Sequence, residues 1–194
     1  MKLYTISKQK PDHLGFTLME LLVVITIILI LAGISFPAAQ GVLAKAKKSS
    51  AENMALQLTS SIAAYYTEYR RYPLGSNNSN GNDITIPSDE NLMDILLGAD
   101  SSDGKRYNPR GISFFAGKEA KGKMNGLDMN TSGGGSLYDP WGELFQITID
   151  TDFNNRVNAE SRDGNDSVVP QSVIVWSYGK DGEGGDRKDW ITTW

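Results

Sequence analysis

The sequence predicts an α+β fold in which one long N-terminal helix packs on a small antiparallel sheet. Residues 21–44 contain no charged side chain. Residues 54–69 carry apolar side chains at helical spacing, and residues 144–149 and 173–178 have the pattern of strands. The uncharged run predicts a membrane-spanning first half of the helix, and the apolar stripe predicts a soluble second half that covers the sheet.

The uncharged run is long enough to cross a lipid bilayer. Residues 16–37 would extend about 33 Å as a helix at about 1.5 Å per residue, and a bilayer core is about 30 Å thick. Lys2, Lys8 and Lys10 precede the run, so the positive-inside rule predicts a cytoplasmic N-terminus and an external C-terminal domain. Pro37 is expected to kink the helix.

Glu20 stands near the start of this apolar segment and limits its interpretation. A secretory signal peptide would have a shorter apolar core that ends at a small-residue cleavage site. An uncleaved signal anchor explains the length but not the acid, because a carboxylate in a spanning helix costs about 2.5–3.5 kcal/mol at the bilayer centre. We therefore expect Glu20 to have a function and a partner.

The motif GFTLME at residues 15–20 resembles the processing site of type IV prepilins and type II secretion pseudopilins. The resemblance implies that prepilin peptidase cleaves between Gly15 and Phe16 and that the new amine of Phe16 is methylated. It also implies that Glu20 meets the N-terminal amine of a neighbouring subunit in a filament. Such a pair attracts strongly where the dielectric is low, and either charge alone would be unfavourable there. Pro37 falls where this family often carries a kinking proline.

The helix is predicted to continue into the soluble domain and to end near Tyr72-Pro73, since proline disfavours helix at the residue before it. One face of this half carries an apolar stripe that is expected to pack on the sheet. The stripe consists of Met54, Leu58, Ile62, Tyr65 and Tyr69.

The C-terminal domain is predicted to begin with loops and one short helix. Residues 76–83 form a polar loop, and residues 91–97 form a helix with Ser88 as its N-cap. Residues 105–135 are expected to be mostly irregular, with residues 112–115 as a candidate third strand.

Two later blocks of sequence predict a turn and the sheet. Asp139-Pro140-Trp141-Gly142 has the acid, proline and glycine of a β-turn, and strands follow at 144–149 and 173–178. The phrases YDPWGELFQI, residues 138–147, and WSYGKDGEGGD, residues 176–186, resemble blocks of the major pseudopilins of type II secretion. The resemblance implies a type IV pilin-like fold.

In those pseudopilins the loop that follows the second block binds calcium. The resemblance therefore implies a calcium site formed by Asp181, Glu183, Asp186 and Asp189. A glycine-flexed, oxygen-rich loop without histidine suits a hard cation, but the segment from Gly184 to Trp190 is shorter than expected. A solvated acidic turn is the alternative.

A second candidate for calcium begins at Asp150. Asp150, Asp152 and Asn154 match the first ligand positions of an EF-hand loop. The match is incomplete, because Asn155 stands where glycine belongs and Glu160 is one residue short of position twelve.

Composition argues against several classes of protein. The absence of cysteine excludes disulfides and thiolate metal sites. The only histidine is His13, so cleavage after Gly15 would leave none for catalysis or zinc. A net charge of −4 makes nucleic acid an unexpected partner. The sequence contains no phosphate-binding, nucleophile-elbow or zinc-protease motif, so we expect that the chain is not an enzyme.

These observations divide the chain into a leader (1–15), a transmembrane and assembly segment (16–39), the soluble half of the helix (40–75) and a globular head (76–194). The resemblance implies a type II secretion pseudopilus subunit, which assembles into a homo-oligomeric helical filament that drives protein export. Its expected location is the bacterial inner membrane, with the N-terminus cytoplasmic and the head periplasmic, and then the periplasmic filament.

The implied partners are prepilin peptidase and methyltransferase, the inner-membrane assembly platform and other pseudopilins. Two alternatives stay open. One is a type IV pilus subunit for adhesion, motility or DNA uptake. The other is a membrane-anchored binding module, which would leave Glu20 unexplained.

Overall fold

The computed structural model describes residues 15–77, 81–159 and 167–194, without the side chains of residues 34–39. The contacts divide the chain into two units, Met1–Leu43 and Ala44–Trp194. Most of the predicted leader lies outside the described residues.

In the first unit, helix α1 begins at Leu18 and continues across the unit boundary to Tyr69. The large apolar side chains described in this unit are exposed, from Phe16 to Leu31 and again at Val42 and Leu43. Among the described residues, no helix meets the length and hydropathy expected of a membrane span. The membrane-spanning role of residues 16–39 stays a prediction, as does the kink at Pro37, whose side chain lies outside the described residues.

The described residues of the second unit contain the rest of α1, two short α-helices and eight strands. In chain order these are β1 (Ile84–Pro87), α2 (Glu90–Leu97), α3 (Ser102–Tyr107), β2 (Gly126–Met129), β3 (Gly135–Tyr138), β4 (Gln146–Ile149), β5 (Val157–Ala159), β6 (Ser167–Val169), β7 (Val173–Ser177) and β8 (Ile191–Thr192). Two 3-10 helices, Gly179–Asp181 and Arg187–Asp189, lie between β7 and β8.

The main sheet is antiparallel, with strand order β1-β4-β7-β8. Strands β2 and β3 form one hairpin, and β5 and β6 form another. The predicted α+β fold, a long helix with an antiparallel sheet, is therefore confirmed.

The predicted apolar stripe of α1 forms the centre of the core. Met54, Leu58, Ile62 and Tyr65 are buried in one cluster with side chains of β4 and β7, and Tyr69 packs against this cluster while partly exposed. The Tyr65 hydroxyl donates to the Tyr107 carbonyl over 2.7 Å and gives the ring a polar partner inside the core.

The predicted end of α1 is confirmed to within three residues, and the predicted N-cap of α2 is wrong. Helix α1 ends at Tyr69, shortly before Tyr72-Pro73, and Arg70 follows in a left-handed backbone conformation with φ of 53°. The N-cap of α2 is Asp89, whose carboxylate accepts from the Leu92 amide over 3.3 Å. Ser88 is instead buried between strands.

The prediction that residues 105–135 are mostly irregular is confirmed, but the candidate strand within them is wrong. Residues 112–115 form no strand, although Phe115 is buried in the core. Helices and strands in this segment are confined to the end of α3, to β2 and to the first residue of β3. The strand predicted at 144–149 begins at Gln146, and Leu144 pairs with Tyr138 in an isolated bridge.

Candidate functional site

The predicted cleavage site lies in exposed, irregular backbone just before α1. Gly15 and Phe16 precede the first residue of the helix, Leu18, and both are exposed. The Phe16 side chain is 75% exposed. A peptidase needs an extended, accessible chain, and this arrangement provides one without unwinding the helix.

Thr17 and Glu20 form a capping box at the start of α1. The Thr17 hydroxyl accepts from the Glu20 amide over 3.2 Å. One carboxylate oxygen of Glu20, Oε2, accepts from the Thr17 amide and from the Thr17 hydroxyl, each over 2.9 Å. These bonds satisfy donors of the first helical turn. The sequence analysis did not predict this capping role, although the spacing of Thr17 and Glu20 is that of a capping box.

In the head, Asp139 joins the two blocks of sequence that resemble pseudopilins. Its side chain is fully buried. Its Oδ1 accepts from the amides of Trp141 at 2.8 Å, Gly142 at 2.8 Å and Glu143 at 3.0 Å, which builds the predicted turn. Its Oδ2 accepts from the Ser177 hydroxyl at the end of β7.

The loop after β7 packs closely on itself at two glycines, Gly179 and Gly185. The Ser177 hydroxyl accepts from the Gly179 amide over 3.0 Å. A Cβ on Gly179, whose φ is 75°, would lie 2.1 Å from the Asp189 carbonyl oxygen, and a Cβ on Gly185 would lie 2.5 Å from the Cβ of Asp181. Close packing of the loop on itself therefore requires glycine at positions 179 and 185.

The four acids predicted to bind calcium are all exposed. Asp186 caps the second 3-10 helix by accepting from the Lys188 amide over 3.0 Å. Asp181, Glu183 and Asp189 lie on the same loop, but the four carboxylates are not among the described acid groups whose oxygens converge. Calcium binding at this loop stays a prediction.

A different set of acids does converge within the described part of the chain. Oxygens of Asp83, Asp150 and Asp152 all lie within 4.8 Å of one another, close enough for one metal ion. Asp150 is buried and already accepts from the amides of Asn154 at 3.2 Å and Asn155 at 2.7 Å. The turn from Asp150 to Asn155 is thus stabilised by hydrogen bonds from its backbone amides to the Asp150 carboxylate.

Asp83 differs from its two neighbours in this acid group. Its Oδ1 is buried and has no hydrogen-bond partner within the described ranges. Burial raises the pKa of the Asp83 carboxyl, and the negative charges of Asp152 and Asp150 raise it further. Hydrogen bonds from backbone amides lower this pKa, but the net shift is upward. The sequence reasoning named Asp150 and Asp152 but not Asp83, which lies 67 positions before Asp150.

The family model described as the prokaryotic N-terminal methylation motif matches residues 11–36. The N-terminal region is type IV prepilin-like. This prepilin-like region includes the predicted cleavage bond between Gly15 and Phe16, and it includes Glu20. The match therefore supports a resemblance to type IV prepilins, and the narrower assignment to type II pseudopilins stays a proposal.

Curated relatives agree with this assignment. The chain is 39% identical over 75 residues to the type IV major pilin protein PilE1 of Neisseria gonorrhoeae, covering 39% of this chain and 44% of that protein. It is 42% identical over 67 residues to a fimbrial protein of Neisseria meningitidis serogroup B, covering 34% of this chain and 39% of the relative. The fimbrial protein EcpC of Eikenella corrodens is 42% identical over 64 residues, which cover 33% of this chain and 42% of that protein.

The chain thus spans less than half the length of these relatives. Their names describe pilin and fimbrial proteins, which is consistent with the expectation that this chain is not an enzyme. No solved structure matches the chain significantly.

Proposed function

We propose that the chain is a filament subunit that is cleaved between Gly15 and Phe16, methylated on the new amine and assembled through Glu20. The match of residues 11–36 to the N-terminal methylation motif carries this proposal. Before assembly, the apolar half of α1 lies in the inner membrane, with the head periplasmic. In the filament, neighbouring copies cover the same apolar side chains, which stabilises assembly through their burial.

The geometry at Glu20 is compatible with a role in both the subunit and the filament. Both intrachain hydrogen bonds accepted by its carboxylate use Oε2. In the part of the chain that the structure describes, no hydrogen bond uses Oε1. Glu20 can therefore cap its own helix with one oxygen and accept the methylated amine of a neighbouring Phe16 with the other. Such a pairing sets the stagger between adjacent subunits.

We further propose that this filament is the pseudopilus of a type II secretion system. The Asp139-Pro140-Trp141-Gly142 turn and the loop that begins at Ser177 support this choice, because both resemble blocks of major pseudopilins. In the head these two blocks form one hydrogen-bonded unit. Growth of the filament would then drive protein export, with prepilin peptidase, the inner-membrane assembly platform and other pseudopilins as partners. A type IV pilus subunit is the second candidate, and the pilin relatives favour it.

Deletion of the gene in its own bacterium distinguishes these two candidates. We expect proteins normally exported to the medium to accumulate in the periplasm and surface pili to remain. Wild-type protein should restore export, and a variant with Gly15 replaced to block cleavage should not. Loss of pili and of twitching motility with export unchanged would instead establish the pilus subunit.

Calcium binding by the loop 181–189 is a separate proposal, supported by the four carboxylates that this loop carries and by the close packing of Gly179 and Gly185. We expect excess chelator to lower the melting temperature of the full chain, since a ligand of the native state stabilises it. Replacing Asp181 and Asp186 with Asn should remove that chelator effect, and replacing Asp150 and Asp152 with Asn should preserve it. A melting curve that chelator leaves unchanged would refute calcium binding, and the reverse result for the two variants would place the ion at the other turn.

A further inference from the structure

The second unit carries six lysines on two neighbouring stretches, which we call the lysine cluster. Within residues 45–48 and 118–123 the only acid is Glu119. The chain as a whole has more acids than bases, 23 against 19, so this concentration of positive charge is local. The cluster consists of Lys45, Lys47 and Lys48 on α1 and Lys118, Lys121 and Lys123 on the loop before β2.

The two stretches meet around one concave surface. Lys47 of α1 lines a cavity together with Lys118, Lys121, the acid Glu119 and the apolar side chain of Met124, so three cations and one anion face it. The loop is held against the helix, because the Ser50 hydroxyl donates to the side-chain oxygen of Asn125 over 2.9 Å. The fold thus holds Lys47, Lys118 and Lys121 near one another, and the other three lysines of the cluster are neighbours of these in sequence.

The positive charges of the cluster are not neutralised within the described residues. None of the six lysines takes part in an ion pair in these ranges, where the ion pairs are Lys105 with Asp100 and Arg110 with Glu68. Lys47 is half-buried, and the other five lysines are exposed. Several unpaired ammonium groups around one concavity attract anions.

The position of the cluster in the chain indicates which anion it binds. Lys45 follows the uncharged run by one residue, so membrane anchoring through that run would place the cluster beside the outer headgroups. Met124 is 46% exposed beside the lysines, and an apolar side chain among cations suits the boundary between headgroups and acyl chains. The rest of the head is acidic and would be repelled by an anionic membrane surface.

We infer that the lysine cluster docks the head on the phosphate groups of anionic phospholipids in the outer leaflet of the inner membrane. This inference rests on the proposed membrane anchoring. Docking holds the head in one orientation on the membrane until the subunit is extracted into the filament. Each lysine near an anionic surface strengthens association about five-fold.

The test uses the full chain in lipid nanodiscs, one chain per disc. Since the chain has no cysteine, M124C carries a single polarity-sensitive fluorophore at the cluster, and V168C carries it on exposed β6 as a control. Discs contain phosphatidylcholine alone or mixed with phosphatidylglycerol. We expect the reporter at position 124 to move to a less polar environment only in the mixed discs and to return at about 1 M salt. The reporter at position 168 should not respond.

Charge removal supplies the matched comparison. Replacing Lys47, Lys118 and Lys121 with Gln should lower the ratio of docked to undocked heads about a hundredfold, at about five-fold per lysine. Replacing three exposed cations elsewhere on the head with Gln should leave the ratio unchanged. The control positions are Lys105, Arg106 and Lys180.

Four results would overturn the inference. A chain that enters discs but shows no lipid-dependent response at position 124 refutes docking and leaves membrane anchoring intact. A chain that does not enter discs refutes both. The same response to inorganic phosphate in phosphatidylcholine discs would indicate a site for a free anion. A response that requires two chains per disc, in either lipid, would indicate contact with a second copy.

Discussion

Glu20→Gln is expected to abolish filament assembly while leaving α1 folded. Glutamine at this position can still accept from the Thr17 amide, because the capping box tolerates Glu or Gln at N3. It cannot supply the negative charge that would pair with the amine of a neighbouring Phe16. Filaments counted by electron microscopy, together with far-UV circular dichroism of the purified chain, measure the two properties separately.

Thr17→Ala is the matched control, because it removes the cap and keeps the charge. The Thr17 hydroxyl both accepts from the Glu20 amide and donates to the Glu20 carboxylate. Its loss should weaken the start of the helix by about 1 kcal/mol and leave filaments in place. Normal filaments with Glu20→Gln and none with Thr17→Ala would show that the cap, not the charge pair, is what assembly requires.

Asp139→Ala is expected to lower the free energy of unfolding of the head by about 3–5 kcal/mol. The substitution removes the acceptor of three partly buried backbone amides and leaves the buried Ser177 hydroxyl without its acceptor. Urea denaturation followed by tryptophan fluorescence measures the change, since Trp141 and Trp176 lie next to the lost bonds in sequence. The proposed pseudopilus function predicts that export falls with stability, because the turn and the loop after β7 are both attached to this carboxylate.

Asp128→Ala provides the control for Asp139. Asp128 lies on β2 and is exposed, so its loss should change the free energy of unfolding by less than about 0.5 kcal/mol. If Asp139→Ala lowers the free energy of unfolding as little as Asp128→Ala does, the buried carboxylate does not hold the two sequence blocks together.

Local patterns in the sequence predicted the features that depend on neighbouring residues. The stripe from Met54 to Tyr65 lies on one face because helical spacing alone determines it, and all four side chains of that stripe are buried. The turn after Asp139 follows from the preferences of proline and glycine. In both places a short window of sequence contains the physical cause.

Features that depend on strand register were missed. Asp83 precedes β1 and Asp150 follows β4, and the pairing of Ile84 with Ile149 brings the two acids side by side. Strand β1 has only four residues, so its sequence carries a weak signal and its partner cannot be identified locally. The prediction of Ser88 as a helix cap fails for a similar reason. The Ser88 hydroxyl accepts from the amide of Phe145, and nothing in the sequence near Ser88 indicates that distant partner.

The exact mass of the N-terminal peptide, from protein purified from its own bacterium, tests the central claim most directly. We predict a chain that begins at Phe16 and carries one methyl group on its amine. That result would establish processing at Gly15 and place Glu20 at the fifth position of the mature subunit. A chain that begins at Met1 would contradict assembly through the pilin pathway. So would a chain cut after Ala44-Lys45-Ala46, which is the nearest match to the cleavage site of a secretory signal peptide. Either result would leave Glu20 as a helix cap only.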